Sequence, residues 1–545
     1  MINVAAHLGT LAAREPNRAA IHFPNASGTD FRQITFAELD RDSGLLARGL
    51  QMFGIERGTR TVLMVPPSLE FFSLTFALFK LGAVPVLIDP GMGIRNLGIC
   101  LEEAQPEAFI GIPKAHLARR ILRWGKKSIR LTVTTGAKIL GGKYSLEQLR
   151  EMATEQGPLP TADTAAEEVA AILFTSGSTG VAKGVVYTHG IFAAQVDMLR
   201  SIYGIKPGEI DLSTFPLFAL FGPALGMTAV VPPMDPTKPA EADPRKIIAT
   251  LERFQVTNLF GSPALINRVG RYGVEHGTKL SHLKRVISAG APVPAVVLER
   301  FTQLLPVGVQ LFTPYGATES LPVANIGSDT ILKETRFQTE QGKGVCIGQP
   351  VAGMSACIIP ISDEPVPTLT ESMKRPPGEI GEIAVSGPVV TSQYHGRDQA
   401  TRMAKMHDAE GRLWHRMGDL GYVDASGRLW FCGRKSHRVV TEQGTLFTIP
   451  CEGIFNTHPD VYRTALTYLA RVGKTVPVLC VELEKTATKP WSEIEKELRE
   501  IGSRHEITRS IDIFLQHPSF PVDIRHNAKI FREKLAVWAT KQVKA

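Results

Sequence analysis

A chain of 545 residues is too long for one hydrophobic core, and 43% apolar with 21% charged residues excludes extended disorder. The net charge of +8 is a mild excess of 61 Lys and Arg over 53 Asp and Glu; it reads as a solvated basic face, and no arginine-rich tract or zinc-finger spacing points to nucleic acid. The six cysteines include no C-x-x-C pair, which argues against a zinc knuckle or redox motif and fits a reducing cytoplasm.

The opening residues, Met1 to His7, lack a basic stretch followed by an apolar core, so no secretory signal is expected. Thr61-Val-Leu-Met-Val predicts a buried strand, Glu70 to Leu81 a helix, and Ala83 to Ile88 the next strand. The alternation recurs at Ala170 to Phe174, Asn258 to Gly261 and Arg285 to Ala289, which predicts α/β layers with largely parallel sheets over the first 430 residues. Segments 157–168 and 361–378 are rich in Pro, Thr and acidic residues and read as surface loops.

Residues 212–234 are uncharged and long enough to cross a bilayer. Pro216, Gly222, Pro223, Gly226, Pro232 and Pro233 break them up, so the reading is a buried strand, loop and helix bordering an apolar pocket, with plain core as the alternative. Near Gly433 basic residues cluster and a smaller α+β region follows. The expected domains are therefore 1–432, large and layered, and 433–545, small and mobile.

The strongest local signal is Thr175-Ser-Gly-Ser-Thr-Gly-Val-Ala-Lys-Gly184 between two predicted strands. Thr175, Ser176, Gly177, Ser178, Thr179 and Gly180 leave backbone N–H groups bare for phosphate oxygens, and Lys183 adds positive charge. The spacing is not that of the P-loop, because Gly180 stands three residues before Lys183 and a strand, not a helix, follows.

With these residues the chain resembles the adenylate-forming superfamily, which includes acyl-CoA synthetases, peptide-synthetase adenylation domains and firefly luciferase. The resemblance continues in order through Tyr315-Gly-Ala-Thr-Glu319, Gly378 to Gly387, Trp414 to Gly421, Gly433-Arg434 and Asn527-Ala-Lys-Ile530. It implies ATP and Mg²⁺ as cofactors and a small C-terminal domain carrying a catalytic lysine, Lys529, that stabilises charge developing on the phosphoryl oxygens. It further implies Tyr315 against adenine, Thr318 at phosphate, Glu319 on magnesium, and Asp419 with Arg434 at the ribose. Gly290, Ala291, Pro292 and Gly316 join the nucleotide set. Phe218, Phe221, Gly226, Phe260 and Gly261 are expected at the acyl pocket.

Three positions depart from the family pattern. The hinge carries Ser436 in place of Asp or Lys, Ala219 stands where a histidine is common, and Asn527-Ala528 precedes Lys529 where glycine is usual. Within the superfamily the chain is most similar to the β-lactone synthetases of bacterial long-chain olefin biosynthesis. That resemblance implies a long-chain 2-alkyl-3-hydroxy acid as substrate, whose own hydroxyl closes on the acyl-adenylate, and possible contact with other enzymes of the pathway. The alternative with the same first step is an AMP-forming long-chain fatty-acyl-CoA synthetase.

Overall fold

The computed structural model describes residues 2–136, 141–175, 182–215, 220–471, 474–523 and 529–544. Among these, a first seven-stranded sheet runs in the order Tyr144–Ser145, Leu131–Thr134, Ala108–Gly111, Arg60–Met64, Val84–Leu87, Val169–Phe174 and Gly184–Thr188. Its neighbours are parallel except the last pair. A second sheet has the order Leu311–Phe312, Arg285–Ile287, Asn258–Phe260, Ile210–Ser213, Thr228–Val230, Ala19–Pro24 and Phe31–Thr35, again parallel but for the last pair.

Helix Leu69–Leu81 shows why the layers hold together. The Ser68 hydroxyl accepts the Phe71 N–H at its start and Gly82 ends it. Every residue from Phe71 to Leu81 is buried, and the helix shares one apolar cluster with Ile21 and Ala229 of the second sheet and Leu63 and Ala170 of the first. Fully buried Phe72 and Phe76 each stabilise this layer by about 1.5–3 kcal/mol.

Beyond residue 314 the parallel pattern predicted for the first 430 residues fails. A third sheet is antiparallel, in the order Tyr315–Ala317, Ser320–Asn325, Val345–Pro350, Leu429–Arg434, Leu413–Val423, Gly381–Ser386 and Ser355–Ile359, with Lys405–His407 paired onto Leu413–Val423. Tight turns such as 318–319 and 424–428 leave no room for the helical crossover that parallel strands need. The break expected at 432/433 falls inside the strand Leu429–Arg434, whose last residue pairs with Asp419; the chain leaves this sheet only after Arg434.

The remaining chain packs helices Thr448–Phe455, Trp491–Ser503 and Arg532–Lys544 around strands Val461–Arg471, Lys474–Leu483 and Ile513–Gln516. An Arg271–Glu484 ion pair at 2.9 Å joins this part to the large one. The uncharged stretch 212–234 includes a buried strand end, the short helix Phe221–Leu225 and the strand Thr228–Val230. Among the described residues no helix is long and apolar enough to cross a membrane.

Candidate active site

Thr318 and Glu319 form the two-residue turn of a hairpin in which Ala317 pairs with Ser320. Gly316 is required there, since a Cβ would lie 2.6 Å from the Ser320 carbonyl oxygen. The turn is held from behind. The Tyr187 hydroxyl donates to the Thr318 carbonyl at 2.6 Å, and both the N–H and the hydroxyl of Thr391 donate to the Glu319 carbonyl at 3.0 Å. The Tyr394 hydroxyl donates to Glu319 Oε1 at 2.6 Å, and no described residue hydrogen-bonds Oε2.

The phosphate-loop candidate meets this turn at its base. Thr175 N–H donates to the Lys183 carbonyl at 3.0 Å, and Lys183 N–H to Thr175 Oγ1 at 3.1 Å, closing the two ends on each other. Ser176, Gly177, Ser178, Thr179 and Gly180 lie outside the described residues. The Lys183 ammonium stands 4.7 Å from the Tyr394 ring centroid; burial lowers its pKa, against the pull of Glu319. An isolated bridge between Tyr394 and Val185, with hydrogen bonds from Val186 N–H to the Gln393 carbonyl and from His395 N–H to the Gly184 carbonyl, brings Tyr394 to this point.

Asp419 and Arg434 face each other across adjacent strands and pair at 2.9 Å. The Tyr315 hydroxyl donates to Asp419 Oδ2 at 2.6 Å, so the residue expected against adenine is already joined to the one expected at ribose. Burial raises the Asp419 pKa, while Arg434 and Tyr315 oppose the rise. Arg434 is held charged chiefly by Asp419 and also donates to the Met417 carbonyl at 3.2 Å.

Gly290, Ala291 and Pro292 form a partly exposed turn at the carboxyl end of Arg285–Ile287, and Gly261 follows the carboxyl end of Asn258–Phe260. Ligands of open α/β sheets bind at such ends. Phe260 and Phe221 are half-buried against the main core, with the Phe221 ring 6.1 Å from Phe192. Gly226 does not belong with them. It ends helix Phe221–Leu225 at φ +78°, and a Cβ would press on Pro207 at 3.1 Å, so it serves the turn and not a pocket wall. Phe218 lies outside the described residues.

Lys529 follows the third sheet in the chain by about a hundred residues. Its carbonyl accepts the Asp523 N–H at 2.9 Å and its neighbour Ile530 bridges to Val522. Three residues on, Arg532 donates to both oxygens of buried Glu452 at 2.7 and 2.8 Å. Ser436 lies in a single 3-10 turn, Lys435–His437. Lys435 reaches back to Glu382 at 3.2 Å, and Arg438 pairs with exposed Asp363 at 2.5 Å.

Tyr187, Thr391, Tyr394 and Lys405 were not legible as supports of the Thr318–Glu319 turn. Tyr394 follows the Gly378–Gly387 stretch by seven residues, and its pairing beside Lys183 needs the tertiary fold.

A family model described as AMP-binding enzyme matches residues 9–395. The chain belongs to that family. It is 51% identical to the olefin β-lactone synthetase of Xanthomonas campestris pv. campestris, over 99% of this chain and 98% of that one. It is 49% identical to the olefin β-lactone synthetase of Stenotrophomonas maltophilia, over 99% and 98%. The fold of this AMP-binding enzyme is similar to ATP-bound MatB from Rhodopseudomonas palustris, at TM-score 0.78 and 21% identity over 99% of both chains.

Proposed function

We propose that this AMP-binding enzyme activates a long-chain 3-hydroxy acid, branched by an alkyl group at C2, and converts it to a β-lactone. The carboxylate attacks the α-phosphorus of ATP and pyrophosphate leaves. The β-hydroxyl oxygen then attacks the acyl carbonyl, AMP leaves, and the hydroxyl proton is released. Holding the hydroxyl beside the activated carbonyl makes the second step intramolecular, which contributes about 7–11 kcal/mol in good cases. The observation that carries this reading is the near full-length identity to two proteins named olefin β-lactone synthetase.

The site geometry supports the first half. Asp419 offers carboxylate oxygens to the ribose and Tyr315 a ring to the base. Lys183 supplies a cation for the phosphates, and Arg434 stands with Asp419 at the ribose. Glu319 offers one carboxylate, with Oε1 held by Tyr394, which suits Mg²⁺, a cation bound by one or two carboxylates plus substrate phosphates. Bound there, Mg²⁺ would neutralise phosphate charge, with Glu319 holding it. Lys529, on a domain of its own from Lys435 onward, is assigned to charge developing at the α-phosphate, and Ser436 to the pivot between domains. The acyl chain is assigned to the side of Phe221, Phe260 and Gly261. All six cysteines are unpaired and buried, which supports a reducing compartment such as the cytoplasm.

The test is product analysis with ATP, Mg²⁺ and a long-chain 3-hydroxy acid, with and without coenzyme A. Lactone with AMP and pyrophosphate, independent of coenzyme A, is the expected result. A thioester formed only with coenzyme A would replace the proposal by an acyl-CoA ligase.

A further inference from the structure

Lys405 is a charged residue that the fold buries where its strand pattern would expose it. It opens the strand Lys405–His407, whose middle residue, Met406, is fully buried; alternation would put Lys405 on the solvent side. Yet Lys405 is 7% exposed, because that face looks toward the Glu319 turn. Its strand neighbour His415 is buried as well, with Nδ1 on the Ala404 carbonyl at 3.2 Å, and burial together with Lys405 keeps the imidazole well below its usual pKa. A buried ammonium is costly unless something uses it.

Its one hydrogen bond to a described residue runs to Thr391 Oγ1 at 3.3 Å. An ammonium can only donate, so the Thr391 oxygen must accept from it. The Thr391 hydroxyl proton is then free to point one way, to the Glu319 carbonyl 3.0 Å away, where the Thr391 N–H also converges. Thr391 is fully buried, so no solvent competes for that hydroxyl. Glu319 is also the charge that acts on Lys405.

The geometry points to Lys405 as a positioning residue that, through the Thr391 hydroxyl, fixes the Glu319 turn and thereby the carboxylate that receives magnesium. It touches no substrate. Tyr394 sets the carboxylate end of Glu319, and the Lys405–Thr391 pair sets the backbone end. Burial pulls the Lys405 pKa down to about 7, against the pull of Glu319, so the donation to Thr391 is that of the protonated form. The inference rests on the assignment of Glu319 to the metal made above.

The experiment uses the full-length enzyme and follows ATP–pyrophosphate exchange with a 3-hydroxy acid as Mg²⁺ is titrated at saturating ATP. Lys405→Met and Thr391→Val should each raise the Mg²⁺ needed for half-maximal exchange by about tenfold, with the maximal rate at saturating Mg²⁺ little changed. The double variant should be no worse than Thr391→Val alone, and Thr391→Ser, which keeps the hydroxyl, should behave as the parent. Thr391→Val conserves volume, so it decides the matter even where Lys405→Met does not fold. An unchanged Mg²⁺ requirement in Thr391→Val, or effects of the two substitutions that multiply, overturns the inference. Glu319→Gln separates the two levels. If it raises the Mg²⁺ requirement while Thr391→Val does not, the metal assignment stands and the Lys405 inference falls; if it leaves the requirement unchanged, both fall.

Discussion

The surroundings of Glu319 and Asp419 and the lysine-bearing end of the chain are built on opposite terms. Around Glu319 and Asp419, four side chains — Tyr187, Thr391, Tyr394 and Tyr315 — hold the turn and the carboxylates. Lys529 lies far along the chain, next to a bridged pair of segments anchored by Arg532 and Glu452. Groups that recognise ATP in its ground state gain from being fixed in advance, whereas a group reserved for the transition state can arrive with a moving domain.

The sharpest way to break this division is Lys529→Ala. Exchange should fall by about 100- to 1000-fold while the Kd for ATP stays within a few-fold. Near-normal turnover would remove Lys529 from the chemistry. Asp419→Ala should do the reverse and weaken ATP binding itself, by about 1.5–3 kcal/mol in calorimetry; an unchanged Kd would take the ribose role from Asp419.

Acid should loosen the junction between the two regions. Burial, then Arg532 and Arg434, push His437 down to about 3. Its folded pKa is below the unfolded value, so its contribution is full above about pH 6.5 and is lost as pH falls toward the folded value. The loss is at most about 1.4 kcal/mol per pH unit, and thermal melts of His437→Gln should decline less steeply between pH 6 and 4 than those of the parent. A parallel decline in both would show that His437 does not couple there. The smallest step is on the acyl side. Affinity for the acid should climb by up to about 0.8 kcal/mol per added methylene until the pocket is full. No dependence on chain length would return Phe221 and Phe260 to ordinary core.

Much of the architecture was legible because it rests on local signals. Val84–Leu87 and Val169–Phe174 are apolar runs, and Ser68 and Gly82 delimit a helix by simple capping chemistry. Tyr315, Asp419 and Arg434, read from three separate motifs, hydrogen-bond or pair with one another. What stayed hidden depends on which strand lies beside which. Thr391 and Lys405 look like surface residues of an irregular stretch until the third sheet folds over them. Gly226 misled for a related reason: a glycine in an apolar run suggests spare room, but its left-handed φ serves a turn against Pro207. The parallel pattern over-reached because strand-rich sequence reads alike whether a crossover or a hairpin joins the strands.

The turn at Ser436 is fastened unequally on its two sides. Upstream, Lys435 reaches a Glu382 that is itself buried and bound by Arg416. Downstream, Arg438 is clipped to Asp363, whose side chain is 66% exposed. Dissolved ions screen exposed charges over about 8 Å at physiological ionic strength and reach buried ones far less. Added salt therefore loosens the downstream clip before the upstream one, so how firmly the segment after Ser436 is held to Asp363 becomes a property of the medium, while the Lys435–Glu382 side stays fast.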